Sequence, residues 1–333
     1  MFGFLLTPTL LNSLIELTTV GVLAVALLIS VVSLLFLIHL SLKSRGSHHL
    51  QRFNSLWAAR LILVIFVSLW CLNEFCRLPF IRRSYFSHIL PLRISQQEFL
   101  CKVHVVVSLG LLEPGFLSTL LFLVNVSVNK KTPQGSWALV FVLTTCFPVL
   151  TGQVILLTLS SLQSRLPEVF HRSSVVFRED SGQEIALCGY PLISTIIFGS
   201  FSAWYCFCFS VSCFRVVTLV INKALRSRIY CLATAVLICL PLQVVSLALS
   251  SIWRPDQEPA YGTVTTLVLV FTAILAGIGE GIVVLSHIID SLAAGDDLCP
   301  WLPRSAGAQP SCILPMNTSA SLAERPVVDL RCT

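Results

Sequence analysis

The amino-acid sequence contains few charged residues: Asp, Glu, Lys and Arg together make up 11% of its 333 residues. Soluble globular proteins carry about 25% charged residues, so this chain has too little polar surface to fold as a globule in water. A disordered chain is excluded as well, because 55% of the residues are hydrophobic and they include 21 Phe and 6 Trp. The composition therefore predicts a protein that folds in contact with membrane lipid.

Signatures of catalysis and metal binding are missing too. The seven His residues form no His-x-x-x-His or His-Glu-x-x-His pair, and no Asp lies in the long apolar stretches. No Ser-His-Asp grouping can be placed either. The basic residues are spread over short loops rather than gathered in one patch. We therefore expect no enzyme activity, no cofactor and no nucleic-acid partner.

Seven stretches are long enough to cross the hydrocarbon core, which requires about 20 mostly apolar residues per helix. They predict an all-α membrane protein, a seven-helix transmembrane bundle over residues 18–287. A short amino-terminal segment, 1–17, precedes the bundle, and a tail rich in Ala, Ser and Pro, 288–333, is predicted to be disordered. The predicted spans 1 to 7 are 18–42, 55–80, 99–126, 136–159, 192–221, 229–253 and 263–287.

The loops between the spans differ in charge. Loops 43–54, 127–135 and 222–228 contain Lys and Arg but no acidic residue, whereas loops 160–191 and 254–262 contain acidic residues. Short cytoplasmic loops are enriched in Lys and Arg, so we predict an outside amino terminus and a cytosolic carboxyl terminus. Loop 81–98, with three Arg and one Glu, is the exception. We expect the plasma membrane rather than an internal membrane.

An outside amino end, seven helices, basic inner loops and a cytosolic tail together resemble the architecture of G-protein-coupled receptors. Cys101 lies at the outer start of span 3, and Cys188 is the single cysteine between spans 4 and 5. The resemblance implies a disulfide between these two cysteines, as in rhodopsin-like receptors, and the oxidising outer side permits it. The alternative is that both thiols are unpaired.

Other motifs of rhodopsin-like receptors are absent. Residues 124–128 read Val-Asn-Val-Ser-Val, where those receptors have an acid-Arg-aromatic triplet. Span 7 ends without their Asn-Pro pair and Tyr, and it contains no Lys, which excludes a retinal Schiff base. In general character the sequence resembles plant orphan heptahelical membrane proteins described as candidate G-protein-coupled receptors. That resemblance implies a receptor-like function.

Three ionisable residues lie inside the predicted spans, where charge is costly: Arg60, Glu113 and Glu280. At 1.5 Å per residue, Arg60 and Glu113 lie roughly 8 and 9 Å from the predicted cytosolic face of a core about 30 Å thick, and Glu280, about 25 Å from the outer face, lies near the same level. We therefore predict a network in which Arg60 pairs with Glu113 and Glu280 shares the contact, as a switch rather than a source of stability. In the alternative, Arg60 and Glu280 extend to the interface and Glu113 alone is buried.

The outer end of span 2 carries a polar face. Trp70, Asn73, Glu74 and Arg77 have the spacing i, i+3, i+4 and i+7, which places them on one side of a helix. Together with His104 of span 3 they are candidates for an outer ligand mouth. The alternative is an interfacial belt in which Glu74 pairs with Arg77.

Proline and glycine mark irregular positions in three spans. Pro114 lacks a backbone donor and leaves the carbonyl of Gly110 free, which predicts a kink in span 3, and Pro241 predicts a second kink in span 6. The sequence Gly277-x-Gly279-x-Gly281 surrounds Glu280 in span 7. We interpret it as a close-packing surface, with a hinge as the alternative.

These features favour a receptor-like protein that senses a ligand and signals to a cytosolic protein through its basic inner loops, with the ligand left open. Two alternatives come from other classes: a non-signalling scaffold that recruits cytosolic partners, and a small proton-coupled transporter that uses Glu113. Beyond span 7, the juxtamembrane Cys299 is a candidate for palmitoylation, with an unmodified thiol as the alternative.

Overall fold

A computed structural model describes residues 8–44, 56–78, 93–128, 135–158, 167–178, 184–220, 222–253 and 260–286. These residues belong to the compact unit Met1–Ala293, and the second unit, Ala294–Thr333, lies outside them. The predictions for Cys299 and for the tail therefore fall outside the described residues, as does the first part of the amino-terminal segment.

Seven long helices lie within the described residues, and each contains a stretch long and apolar enough to cross a membrane. This confirms the predicted helical bundle of seven spans. Span 3 consists of two α-helices, Ile94–Val107 and Glu113–Val128, joined by a π-helical turn, Ser108–Leu112. Span 7 is Ala260–Glu280 and continues into a π-helical turn, Gly281–Leu285. The other spans are span 1, Pro8–Ser44; span 2, Trp57–Arg77; span 4, Gly135–Thr158; span 5, Leu192–Leu219; and span 6, Lys223–Ile252.

Three helices begin five or more residues earlier than their apolar stretches indicated. Span 1 begins at Pro8, where the missing backbone donor of proline is tolerated in a first helical turn. Span 3 begins at Ile94, after the backbone N–H of Arg93 donates to Gln96 Oε1 at 3.0 Å. Span 6 follows Asn222, whose Oδ1 accepts from the Ala224 N–H at 3.0 Å. Polar residues cap the starts of spans 3 and 6, so a count of apolar residues does not find these two starts.

The spans pack in sequence around a ring that closes where span 7 contacts span 1. Span 3 also contacts spans 2, 4 and 5. In its apolar stretch 72% of the residues are buried, against 22–44% in the other six, so span 3 is the central helix. The outward faces expose large apolar side chains such as Leu28, Leu35 and Phe214, as expected of helices that contact lipid.

A β-hairpin lies between spans 4 and 5, in a region predicted only as a polar loop. Strands β1, Ser174–Arg178, and β2, Glu184–Cys188, pair antiparallel with Ser174 opposite Cys188. A disulfide joins Cys188 to Cys101 at the start of span 3. Gln97 Oε1 accepts from the Ala186 N–H at 3.1 Å, and Tyr261 Oη donates to the Cys188 carbonyl at 2.8 Å. The hairpin is therefore fixed to spans 3 and 7.

Candidate functional site

A cluster of buried polar side chains lies inside the bundle below the hairpin. We call it the polar cluster, and it consists of Glu74 and Arg77 of span 2, His104, Ser108 and Glu113 of span 3, Tyr190 after the hairpin, and Gln243 of span 6. Its members come from regions of the chain that are far apart in sequence. Buried polar groups are costly unless they are hydrogen-bonded, so their contacts decide what the cluster can do.

Glu74 is the centre of the outer part of the cluster. Its Oε2 lies 3.2 Å from Arg77 Nε, one helical turn further along span 2. Its Oε1 accepts from Ser108 Oγ and from Tyr190 Oη, both at 3.4 Å, and lies 3.6 Å from His104 Nε2. Only 3% of Glu74 is exposed. One carboxyl group thus connects span 2, span 3 and the segment after the hairpin.

Tyr190 connects the hairpin to this carboxyl group. Its side chain is buried two residues after Cys188, and the guanidinium carbon of Arg77 lies 5.1 Å from the centre of its ring. Such a distance allows a cation–π interaction. Burial raises the pKa of Tyr190 well above the usual value for a phenol, so the hydroxyl keeps its proton and donates to Glu74.

Ser108 connects Glu74 to Glu113 because span 3 is locally a π-helix. In an α-helix, residues five apart point in different directions. In the π-helical turn the N–H of Glu113 donates to the carbonyl of Ser108, which places the two side chains together. Ser108 Oγ lies 3.1 Å from Glu113 Oε1. Pro114 follows at once, so the irregularity predicted there takes the form of this turn.

Gln243 extends the chain of contacts to span 6. Its Nε2 donates to Glu113 Oε2 at 2.5 Å, and both side chains are buried. Span 6 continues as one α-helix through Pro241, two residues earlier. The contacts therefore run without a break from Tyr190 through Glu74, Ser108 and Glu113 to span 6.

The number of available protons decides which groups donate in the series of hydrogen bonds between Glu74 and Glu113. The Ser108 hydroxyl has one proton and two carboxyl neighbours, so it donates to only one of them. Glu74 has Arg77 as a cationic partner, whereas no ion pair of the described residues involves Glu113. All contacts are satisfied when Glu113 carries a proton, donates it to Ser108, and Ser108 donates to Glu74. This series of hydrogen bonds is therefore suited to hold a proton at Glu113.

The predicted Arg60–Glu113–Glu280 network differs from the contacts that the structure shows. No hydrogen bond or ion pair among the described residues joins Arg60 to either carboxyl group, and Arg60 Nε has no hydrogen-bond partner there. Glu113 shares a small cavity with Trp70, ten residues or about 15 Å along span 2 from Arg60. Glu113 instead contacts Ser108 and Gln243, and Glu280 contacts Ser30 of span 1.

Glu280 lies apart from the polar cluster. Its Oε1 accepts from Ser30 Oγ of span 1 at 2.9 Å, and 1% of the residue is exposed. The flanking glycines differ in their surroundings. A Cβ atom at Gly279 would meet Leu120 Cδ1 at 3.2 Å, in agreement with close packing. A Cβ atom at Gly277 or Gly281 would meet no heavy atom within 4 Å, so these two glycines do not serve close packing.

The residues predicted for an outer ligand mouth lie close together, but they are packed in the interior and do not surround an open cavity. Trp70, Glu74 and His104 are buried, and Asn73 Nδ2 donates to the His104 carbonyl at 3.4 Å. Glu74 pairs with Arg77, as the alternative interpretation of this face proposed. The cavity beside Trp70 and Glu113 measures about 10 Å³, the space of one water molecule. These side chains form part of the core rather than the wall of a ligand-sized cavity.

Sequence reasoning missed two members of the polar cluster. Ser108 was overlooked because an isolated serine in an apolar span has no distinctive pattern, and a π-helical turn leaves no clear sequence signal. Tyr190 follows Cys188 by two residues, and a tyrosine so close to a cysteine implied in a disulfide was a usable signal. Gln243 stands out in the sequence as a polar residue within an apolar span.

Among the residues that the structure describes, no group of three His, Cys, Asp or Glu side chains is placed to hold a metal ion. The side chains of the polar cluster can transfer protons, form hydrogen bonds and pair charges. In the bundle these groups connect helices rather than surround an open reaction site.

The fold and the cluster together define a class, an integral, multi-pass helical membrane protein with a buried polar chain inside its bundle. Within this class, a family model described as "Uncharacterised conserved protein UCP031277" matches residues 7–298, and the chain belongs to that family. The match includes all seven spans and the hairpin. No curated protein matches the chain.

Proposed function

We propose that this protein is a receptor-like membrane switch, in which a stimulus at the hairpin changes the position of span 6. One observation carries the proposal: the unbroken chain of contacts from Tyr190 through Glu74, Ser108 and Glu113 to Gln243. The disulfide to Cys188 attaches the hairpin to span 3. Tyr190 follows Cys188 by only two residues, so a ligand that displaces the hairpin also moves Tyr190.

The energetics of buried polar groups support a switch. Hydrogen-bonded polar networks in apolar surroundings have discrete arrangements, and breaking one contact leaves its partner unsatisfied at a cost of about 1–3 kcal/mol. The π-helical turn Ser108–Leu112 lies in the middle of the chain of contacts, and such turns are common at functional positions. A stimulus shifts the population between two arrangements by binding them with different affinity.

The proposal includes an orientation. The hairpin side faces the outside, where an oxidising environment maintains the disulfide, and the basic loops face the cytosol, where they contact a signalling protein. The amino terminus is then outside, the carboxyl terminus is cytosolic and the protein is placed in the plasma membrane. The protein carries no catalytic activity in this proposal, and signalling follows from helix movement alone.

A distance measurement tests the switch in the full chain, reconstituted in lipid nanodiscs. Spin labels are attached through non-canonical amino acids at Asn125 of span 3 and Ser227 of span 6, which leaves the native cysteines unchanged. We expect Tyr190→Phe to alter the distribution of distances between the labels, because it removes the hydroxyl that contacts Glu74. Electron spin resonance measures that distribution.

Tyr205→Phe is the matched control, because the Tyr205 hydroxyl is buried and has no hydrogen-bond partner among the described residues. Its distance distribution should equal that of the unmodified chain. If Tyr190→Phe and Glu74→Gln both leave the distribution unchanged, the hairpin is not coupled to span 6 and the switch is contradicted.

A proton-coupled transporter is the second candidate, favoured by the position of Glu113 at a cavity with space for one water molecule. A carrier of this kind moves protons into proteoliposomes under an imposed potential and loses that flux in Glu113→Gln. A switch shows no such flux in either form. Proton flux that disappears in Glu113→Gln would replace the first proposal by the second.

A further inference from the structure

A groove lies between spans 1 and 7, away from the polar cluster. Its volume is about 330 Å³, within the range of about 300–1,000 Å³ that is usual for small-molecule sites. Val67 of span 2 forms part of its wall, and Glu280 contributes a carboxyl group. Its lining includes Gly21, Val25, Val67, Ile274, Gly277 and Glu280.

The groove exists because small residues face each other across it. A Cβ atom added at Gly21 of span 1 or at Gly277 of span 7 would meet no heavy atom within 4 Å. Ala26 and Ala273 also line the groove. Larger side chains at these positions would fill the space, so the sequence leaves it open between two helices that otherwise contact each other.

Glu280 gives this apolar groove one polar group. The residue is 1% exposed, and Ser30 Oγ donates to its Oε1. Among the described residues, no hydrogen bond reaches its Oε2 and no basic side chain forms an ion pair with it. A carboxyl group deep in a membrane protein is costly without a partner. A ligand with a basic nitrogen would supply that partner.

The entrance of the groove faces lipid. Its rim residues Val25 and Ile274 are 58% and 43% exposed and lie on the apolar outer surface of spans 1 and 7. Val67 is the middle residue of span 2, ten residues or about 15 Å from each end of the helix. Lipid headgroups lie about 15 Å from the middle of the bilayer, so a phospholipid headgroup does not reach the level of Val67.

We propose that the groove binds a lipophilic amine that enters sideways from the hydrocarbon region. The uncharged amine crosses the lipid, its nitrogen takes the proton of the Glu280 carboxyl group, and the N–H bond formed replaces the O–H bond broken. The resulting ammonium and carboxylate form an ion pair inside the groove, where the apolar body of the ligand covers both. This inference does not depend on the proposed switch, because it concerns binding alone.

Photolabelling of the full chain in lipid nanodiscs tests the proposal. The probe is dodecylamine with a diazirine in its chain, and the matched probe is the corresponding dodecanol. We expect the amine to label spans 1 and 7 and to bind at least about tenfold more tightly than the alcohol, because a charged pair exceeds a neutral hydrogen bond. Unlabelled dodecylamine should compete with the probe, and ethylamine at equal concentration should not.

Two pairs of variants locate the site. Glu280→Gln should weaken amine binding at least about tenfold, whereas Glu113→Gln, a second buried carboxyl outside the groove, should not. Gly277→Leu should fill the groove and prevent labelling, whereas Gly281→Leu, also in open space but outside the groove, should leave labelling unchanged. The Cys101–Cys188 disulfide and the thermal transition show that each variant is folded.

The proposal is overturned by any of three results. In the first, the amine and the alcohol bind the unmodified chain equally well, which would show that the charge does not contribute to binding. In the second, ethylamine competes as well as dodecylamine, which would show that the ligand does not need to enter from the lipid. In the third, folded Glu280→Gln and Gly277→Leu proteins bind the amine with the affinity of the unmodified chain, which would show that the groove is not the binding site.

Discussion

The Glu113 side chain shows at the scale of single residues how a buried acid is accommodated in this bundle. Both of its oxygens have partners, Ser108 and Gln243, and neither partner is a cation. A carboxyl group that holds a proton fits this environment, because it donates to Ser108 and accepts from Gln243. The surroundings therefore require a donor and an acceptor at this position rather than a negative charge.

An amide should therefore replace this acid with little loss. In Glu113→Gln, the new amide accepts from Gln243 and donates to Ser108, so we expect the free energy of unfolding to stay within about 1 kcal/mol of the unmodified chain. Glu113→Ala leaves Ser108 and Gln243 without this partner and should cost about 1–3 kcal/mol per unsatisfied group. Thermal unfolding in detergent measures both. A Gln variant that loses as much stability as the Ala variant would contradict this expectation, because the amide would then not replace the carboxyl group.

The helices show at the scale of elements how close contact between spans 2 and 3 depends on Gly115. A Cβ atom there would lie 2.5 Å from Phe66 Cε1, well below a normal contact distance. This position directly follows Pro114 and the π-helical turn, so the contact also holds the turn against span 2. Interiors are packed too densely to absorb such an overlap without movement.

Gly115→Ala should therefore destabilise the bundle by about 1–3 kcal/mol, the usual cost of overpacking. Gly152→Ala in span 4 is the control, since the nearest atom to its Cβ would be Ile197 Cγ2 at 3.9 Å, an ordinary contact. The two unfolding temperatures measured under the same conditions test the contact. Equal temperatures for the two variants would mean that Phe66 moves aside freely and that Gly115 does not set the distance between the spans.

The elements also show what sequence patterns predict well and poorly. Seven apolar stretches predicted seven helices, because a membrane helix must bury its own backbone polar groups and needs a minimum apolar length. Helix starts were missed at Ile94 and Lys223, where polar residues are still helical. The hairpin was missed because its two strands of five residues lie within a polar loop.

At the scale of the whole molecule, the contacts between distant residues were harder to predict than the fold. The Cys101–Cys188 pairing followed from the resemblance to receptors, not from the residues alone. Among the described residues, Glu113 contacts Ser108 and Gln243 and Glu280 contacts Ser30, and the predicted contacts with Arg60 are not seen there. The contact between Ser108 and Glu113 depends on a π-helical turn, which the spacing of an α-helix does not predict.

In the proposed switch, the polar cluster acts as one unit between the hairpin and span 6. Hydrogen bonds of the described residues connect Tyr190 to Gln243 through Glu74, Ser108 and Glu113, so we expect energetic coupling between the two residues along this series of contacts. A double-mutant cycle measures such coupling as the departure from additive effects. The variants are Tyr190→Phe, Gln243→Leu and the combination of the two.

The free energy of unfolding of these variants in mixed micelles is the most direct test. We predict a coupling of about 0.5–3 kcal/mol between Tyr190→Phe and Gln243→Leu, as found for members of one network. Tyr205→Phe with Gln243→Leu is the control pair and should be additive within about 0.5 kcal/mol. Additive effects of the Tyr190 and Gln243 substitutions, equal to those of the control pair, would contradict the account.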